Sequence, residues 1–339
     1  MGMASQEQLT VRRAVRDAIA GLDAARVVLA ACSGGADSLA LAAALGWIRQ
    51  RDVRPAGGVV VDHGLQPGSA ERAREAAVLL TRFGLDPVEV VHVRVTERGH
   101  GPEGNARAAR YDALDAAADR HAASAVLLGH TRDDQAENVL LGLARGSGPR
   151  SLGGMPAVSG RYRRPLLGVS RETVRAALPP DVKPWEDPHN ADPGFARARV
   201  RHRVLPVLEA ELGPGVAEAL SRTAALLRAD ADALDTWAAR AFAEAKIEAT
   251  SVGPEHHQGH PDHVSLDVAR LAELPQGVRT RAIRRAAIEA GCPSTDLTAA
   301  HVAAVDALIS QWHGQRGIDL PGPVRAARSG RVLRFEPSR

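Results

Sequence analysis

Over roughly the first 145 residues, short β-branched runs alternate with longer amphipathic stretches, and the alternation predicts βαβ units. Residues 9–20 carry apolar side chains at helical spacing. Residues 26–31 include Val27, Val28 and Leu29 in succession and read as a strand buried on both faces, as a parallel sheet requires. A helix is predicted from about residue 39 to 50, strands over 56–61 and 88–93, and a helix over 69–83 between them. Pro102 suits the first turn of a helix, where its missing N–H costs nothing, and that helix is predicted to run through Tyr111 to about His121. A fourth strand over 125–128 ends in Gly129-His130-Thr131, with Thr131 placed to cap the helix that follows. The expected fold class is α/β, an open parallel sheet whose strand ends at Ser33–Ser38, Asp62-His63 and Gly129-His130 share one edge.

Between residues 142 and 192 the periodicity fails and Gly, Pro and Arg crowd together, which marks a working loop within a domain. Helical pattern returns at Ala196, a long Ala/Leu helix is predicted over 216–245, and the tail from residue 264 reads as a small α+β unit ending in a strand over 332–335. With 339 residues, two domains are expected, drawn at 1–215 and 216–339. A polar tract with His256, His257, His260 and His263 lies between the parts; lacking Cys or paired carboxylates, it reads as a variable loop ahead of a metal site.

No run approaches the ~18 apolar residues of a membrane span, and Met1–Gln6 leads into a polar helix, so a cytoplasmic protein with no membrane partner is expected. Cys32 and Cys292 are too few for a disulfide framework or a zinc knuckle. The net charge is only +3, but Lys183 and Lys246 are the sole lysines, and arginines cluster between Arg145 and Arg203. That cluster suits a phosphate backbone, although a solvated basic face would look the same.

The sharpest chemical signal is Ser33-Gly34-Gly35-Ala36-Asp37-Ser38, a turn between a buried strand and a helix. Unpartnered N–H groups and the positive end of the helix dipole make such a turn an anion site. Gly34 and Gly35 allow close approach, Ser33 and Ser38 offer hydroxyls, and Asp37 is an acceptor suited to a Mg²⁺ bridging phosphate oxygens. The Lys of a Walker loop is absent, which disfavours γ-phosphoryl transfer. The string resembles the PP-loop of the N-type ATP pyrophosphatases, enzymes of the adenine nucleotide alpha hydrolase-like fold that split ATP between its α and β phosphates.

Three further strings narrow the resemblance. They are Leu128-Gly129-His130-Thr131-Arg132-Asp133-Asp134-Gln135-Ala136-Glu137-Asn138, then Arg107-Ala108-Ala109-Arg110-Tyr111, and Pro184-Trp185-Glu186-Asp187-Pro188-His189-Asn190 followed by Arg199-Val200-Arg201-His202-Arg203-Val204-Leu205-Pro206. In this order they resemble the tRNA(Ile)-lysidine synthetases, in a shorter form with a reduced C-terminal region. The resemblance implies that ATP adenylates O2 of the wobble cytidine in a CAU anticodon of tRNA(Ile) and that free L-lysine then displaces AMP, changing codon reading from AUG to AUA. It places Ser33, Gly34, Gly35, Ala36, Asp37 and Ser38 on ATP, with Asp37 toward Mg²⁺, and Arg110 and His130 near the reacting phosphate. Asp134 and Glu137 fall around the lysine, and the shorter members suggest a homodimer; Arg199, Arg201, His202 and Arg203 precede Pro206 on a short helical stretch with 199 and 203 on one face, which suits a phosphate or tRNA-backbone contact. After Asp62-His63 the chain reads Gly64-Leu65-Gln66 where the family usually has an Asn-His-x-Leu-Arg type of string, so no nucleotide contact is carried over there.

The residues support parts of this independently. Arg110 can hold a growing negative charge bidentately and His130 can donate to it. Asp134 and Glu137, three apart on a helix, share a face that suits an ammonium and could take its proton, though acids at a helix N-terminus also answer its dipole. Trp185 fits a base-stacking platform or a plain core position equally well. A thiolase of the same superfamily would want Cys-x-x-Cys chemistry, and a glutamine-dependent synthetase an amidotransferase nucleophile, for which Cys32 is the one nearby candidate. A non-catalytic RNA-binding protein would have no use for Asp37, His130, Asp134 and Glu137 together.

Overall fold

In the computed structural model the described residues are 4–64, 66–96, 101–146, 148–247 and 263–338, without the side chains of 102, 103 and 189. They form two compact units, 1–228 and 229–339.

The first unit is built on a six-stranded sheet. Strands β1 (Val28–Cys32), β2 (Ala56–Asp62), β3 (Val88–His92) and β4 (Ala125–Leu127) are parallel, and β5 (Val158–Ser159) and β6 (Tyr162–Arg163) form a short antiparallel hairpin that joins β4 through β6. The order is β3-β2-β1-β4-β6-β5, so β1 is central and the chain reverses direction across the sheet between β1 and β4. Helices α1 (Gln6–Ile19), α2 (Ala36–Asp52), α3 (Ser69–Arg82), α4 (Gly101–Arg120) and α5 (Arg132–Ala144) follow the predicted alternation.

Burial explains the strand composition. Val28, Leu29 and Ala30 of β1 are fully buried because one face meets α1 and α2 and the other meets α4. Leu39, Leu41, Leu45 and Ile48 of α2 pack with Val11, Val15 and Ile19 of α1 on one side, while Leu114, Ala117 and Ala118 of α4 pack with Val126 and Leu128 on the other. At about 25 cal/mol per Å² of apolar surface, these two layers supply most of what holds the sheet.

Beyond α5 come α6 (Pro149–Leu152), a single 3₁₀ turn over Pro165–Gly168, α7 (Arg171–Ala176), α8 (Ala196–Arg199), a π-helical turn over Val200–Val204 and α9 (Leu205–Leu212). The segment expected to be a working loop therefore holds short helices and the hairpin, and it folds back over the carboxyl ends of the strands. The long helix α10 is Val216–Ala245, the span read from the sequence.

In the second unit an antiparallel sheet in the order β7-β10-β9-β8 is formed by β7 (Val264–Asp267), β8 (Ile318–Leu320), β9 (Val324–Ser329) and β10 (Val332–Pro337). Helices α11 (Val268–Ala272), α12 (Gln276–Glu289) and α13 (Ala299–Ser310) accompany it. Phe335, Leu333, Leu266, Ile283 and Leu308 form its core, which is the α+β unit the tail predicted. Of the histidine tract only His263 falls within the described residues.

Candidate active site

Strand β1 ends at Cys32, and the chain then turns through Ser33, Gly34 and Gly35 into α2. Gly34 has φ +80°, a left-handed conformation that only glycine adopts without strain. Gly35 is the N-cap of α2 and no side chain caps that end, so the first turn of the helix is left to a ligand. The loop is braced from within. Ser38 Oγ donates to Gly35 O at 2.9 Å and accepts from Ser33 N at 3.1 Å, so this hydroxyl holds the shape of the turn. From across the site, Trp185 N donates to Gly34 O at 2.9 Å.

Strand β4 brings Gly129 and His130 alongside. A Cβ on Gly129 would lie 3.1 Å from the Asp37 carbonyl and from Ser38 Cα, so glycine is what lets the end of β4 touch the first turn of α2. Thr131 then caps α5, accepting from Asp134 N, while Asp134 Oδ2 reaches back to Thr131 N at 2.8 Å. This reciprocal cap fixes the Asp134 carboxylate.

A cavity of about 480 Å³ opens over these strand ends. Ser33, Gly35, Ala36, Asp37, Ser38, Arg110, His130, Asp134 and Arg201 all line it, as do Asp62, His63 and Trp185. Four of the expected residues, Gly34, Glu137, Arg199 and Arg203, do not. Glu137 lies behind Asp134 and is fully buried, whereas Arg199 and Arg203 are exposed and Arg199 donates to the carbonyls of Pro193 and Gly194. Arg201 and Arg203 both lie in the π-helical turn, in which Leu205 N–H bonds back to Val200 O, and a step of two residues turns about 200° around a helix, so Arg201 faces away from Arg199 and Arg203.

The acid pair is occupied by arginines. Arg201 donates from Nε and Nη2 to the two oxygens of Glu137 at 2.7 and 3.0 Å, and from Nη2 to Asp134 Oδ1 at 3.1 Å. Arg171 Nη2 donates to Asp134 Oδ1 at 2.8 Å and to Glu137 Oε1 at 3.1 Å. Arg197 Nε stands 3.7 Å from Glu137 Oε2 and its Nη2 reaches Asn138 Oδ1. Burial pushes the Asp134 carboxyl up, but Arg171, the Thr131 N–H, His130 and Arg201 together hold it below the usual range.

Arg171 is the site residue that sequence reasoning missed. It follows Ser170, the N-cap of α7, and its partners lie 34 and 37 residues away, so no local pattern marks it.

The cavity's other polar groups are less satisfied. Asp37 Oδ1 is buried with no partner, and burial raises the Asp37 carboxyl to about 6 against the pull of Arg171. His130 Nδ1 is likewise unpartnered; burial, opposed by Asp134 and reinforced by Arg164, Arg110 and Arg107, pushes the imidazole down to about 4. Burial and the neighbouring Arg107 and Arg197 lower Arg110. Among the described residues no carboxylate is paired with Arg107, Arg110 or Arg164, and cations so placed around a neutral imidazole make a cradle for an anion. Tyr111 braces it, its hydroxyl accepting from Arg107 and Arg164 at 3.3 Å each, and Arg72 sits 4.7 Å over the Trp185 ring.

The imidazole carries a stability prediction. An unfolded histidine takes up a proton near pH 6.5, and the folded His130 only near 4, so the folded state loses stability as pH falls through that window. The limit is on the order of 3 kcal/mol. Asp37 shifts in the opposite sense over an overlapping range, so the clean comparison is wild type against His130→Gln in urea unfolding. The difference between them should be flat above about pH 6.5 and move against the wild type below it. Parallel profiles would mean that the imidazole titrates normally.

The chain's likenesses agree with this geometry. A family model described as a PP-loop domain matches residues 5–208, and one described as a TilS substrate binding domain matches residues 266–333. The tRNA(Ile)-lysidine synthase of Thermobifida fusca (strain YX) is 56% identical over 325 residues, covering 95% of this chain and 96% of that protein. The corresponding protein of Streptomyces coelicolor (strain ATCC BAA-471 / A3(2) / M145) is 57% identical over 314 residues, 91% of this chain and 85% of that one. Among solved structures, the U34-tRNA thiolase NcsA from Methanococcus maripaludis with its 4Fe-4S cluster shares the fold, with a TM-score of 0.52 and 19% identity over 65% of this chain and 80% of that chain. With a PP-loop over most of the first unit and near-full-length relatives at more than half identity, the chain belongs to the tRNA(Ile)-lysidine synthase family.

Proposed function

We propose that this protein ligates free L-lysine to C2 of the wobble cytidine in the CAU anticodon of tRNA(Ile), consuming ATP and releasing AMP and pyrophosphate. The observation that carries the reading is one cavity in which the uncapped N-terminus of α2 and the Asp134 carboxylate, backed by buried Glu137, meet from strand ends far apart in sequence.

In the first step O2 of the cytidine attacks the α-phosphorus, and the bond to the β-phosphate oxygen breaks. Arg110, buried without a carboxylate partner among the described contacts, and neutral His130 face the place where charge grows. Preorganised groups of this kind contribute most where water is excluded. In the second step the lysine amine attacks C2 and AMP leaves with O2. The ammonium must first lose a proton, and the Asp134 carboxylate at the cavity wall can hold the cation and receive it.

Asp37 fits a divalent cation through its unpartnered Oδ1. Among the described residues no group of three His, Cys, Asp or Glu could hold a metal by themselves. A Mg²⁺ at Asp37 would therefore take its other ligands from phosphate oxygens and water, and would supply charge neutralisation on the leaving pyrophosphate. Arg199 and Arg203, exposed on the helix face opposite Arg201, are available to RNA phosphates. No helix among the described residues is long and apolar enough to cross a membrane, which fits a cytoplasmic enzyme. A homodimer is the form suggested by the shorter members of the family.

Purified protein with ATP, Mg²⁺ and radiolabelled lysine is expected to label a tRNA(Ile) transcript bearing CAU and to release AMP with pyrophosphate in equal amounts. Release of ADP instead would overturn the reading.

A further inference from the structure

Every oxygen of the acid pair already has a donor. Asp134 Oδ2 accepts from Thr131 N and Oγ1, Asp134 Oδ1 from Arg171 and Arg201, Glu137 Oε1 from the same two arginines, and Glu137 Oε2 from Arg201. An entering ammonium brings three donors and a full charge, so it must displace a guanidinium.

The two candidates are not held alike. Arg201 grips Glu137 with two parallel bonds, the strongest geometry an arginine and a carboxylate can make. Arg171 commits one nitrogen, Nη2, to both acids. Its Nε is buried without an acceptor and lies 3.8 Å from Asp37 Oδ2, on the nucleotide side of the cavity. Its main chain is fixed independently, because Arg171 N donates to Asp133 Oδ2 at 2.8 Å and Ser170 caps the helix. Thus the backbone stays while the side chain has two places to go: the acid pair, or the phosphates that would lie beside Asp37.

We propose that Arg171 couples the two substrates: it fills the amine site in the free enzyme and, when ATP binds, turns its guanidinium to the phosphates and releases Asp134 and Glu137 to the lysine ammonium. This rests on the reading that the acid pair holds lysine. The sign of the coupling follows from charge. Phosphates attract Arg171, its departure takes one cation and its hydrogen bonds from beside the carboxylates, and the ammonium replaces them. ATP therefore raises the affinity for lysine, and lysine raises that for ATP by the same factor. Couplings of this type typically amount to ~5- to 150-fold. Arg171 acts here as a positioning residue, since it works through the carboxylates.

The test is calorimetric titration of L-lysine into the full chain, with and without saturating α,β-methylene-ATP and Mg²⁺. In the wild type the analogue should tighten lysine binding roughly 10-fold or more, within the range just given. In Arg171→Gln, lysine should bind more tightly than in the wild type without nucleotide, and the analogue should change its affinity by less than about twofold. Arg171→Lys keeps the positive charge that the buried acids need, but its single ammonium cannot serve the acid pair and the nucleotide side together. It should show a thermal midpoint near that of the wild type and a reduced ratio. Arg201→Gln should retain the ratio.

An unchanged ratio in both Arg171 variants, a ratio lost equally in Arg201→Gln, or no ratio in the wild type would overturn the coupling. Asp134→Asn separates this from the reading beneath it. If that variant binds lysine as the wild type does, the amine site is elsewhere; if it binds weakly while Arg171→Gln keeps the ratio, only the coupling falls.

Discussion

Asp37→Asn is expected to lower kcat/KM for ATP-dependent lysine incorporation by at least about 10²-fold, the scale on which losing one charged or oriented group at a transition state is felt. The carboxylate stands in the first turn of α2, lines the cavity and points one buried oxygen at no protein partner. Asparagine has the same shape but neither the charge nor the second anionic oxygen, so a cation loses its anchor while the loop keeps its form. That form is maintained elsewhere, by the Ser38 hydroxyl between Gly35 O and Ser33 N and by Trp185 N on Gly34 O. The substitution should consequently leave the thermal midpoint of the free protein unchanged or slightly raised, because it removes a buried charge with an unmet hydrogen-bonding need. Activity and stability moving together downward would instead mean that Asp37 is a structural residue. Steady-state incorporation beside a thermal melt distinguishes the two.

Glu137→Ala should do the reverse and act first on the fold. This side chain is wholly buried and receives Arg171, Arg201 and Arg197 from two segments that approach α5 from different directions. Deleting one member of a buried ionic network leaves its partners' charges uncompensated, which typically costs about 3 to 5 kcal/mol. For a unit of this size that is a drop of roughly 10 °C in the thermal midpoint. An exposed pair gives the scale for comparison. Asp17→Asn, which breaks the surface contact with Arg13, should cost less than about 1 kcal/mol. If the two variants melt alike, the network is worth no more than a surface ion pair.

These two carboxylates show what could be read from the chain and what could not. Asp37 was legible because its signal is local: a buried strand, two glycines and a helix start in eight residues, with the chemistry at the turn itself. Asp134 was legible for the same reason, through Thr131 and the strand end before it. Glu137 was legible as an acid on the right face. Its complete burial was not, since that depends on α7 and on residues 197–201 folding over α5, and such closure has no periodic signature. Arg171 was invisible because arginine is frequent throughout this chain and only distance in space distinguishes one from another. The parallel strands came through to within two residues, since burial of β1, β2 and β4 on both faces favours apolar, β-branched runs. The hairpin β5–β6, two residues to a strand, is too short to carry a pattern at all.

The π turn at Val200–Val204 has a cause two residues further on. Pro206 has no N–H to give to His202 O, and its ring crowds that carbonyl, so the helix from Ala196 to Leu212 cannot close with regular spacing there. The widened turn absorbs one extra residue, which rotates the helix surface on either side of it. Three arginines sit at every second position of this short string, about 200° apart around a helix, so alternate ones face opposite sides. Arg201 meets the carboxylates while Arg199 and Arg203 stay in the solvent, giving a single helix one inward task and one outward task.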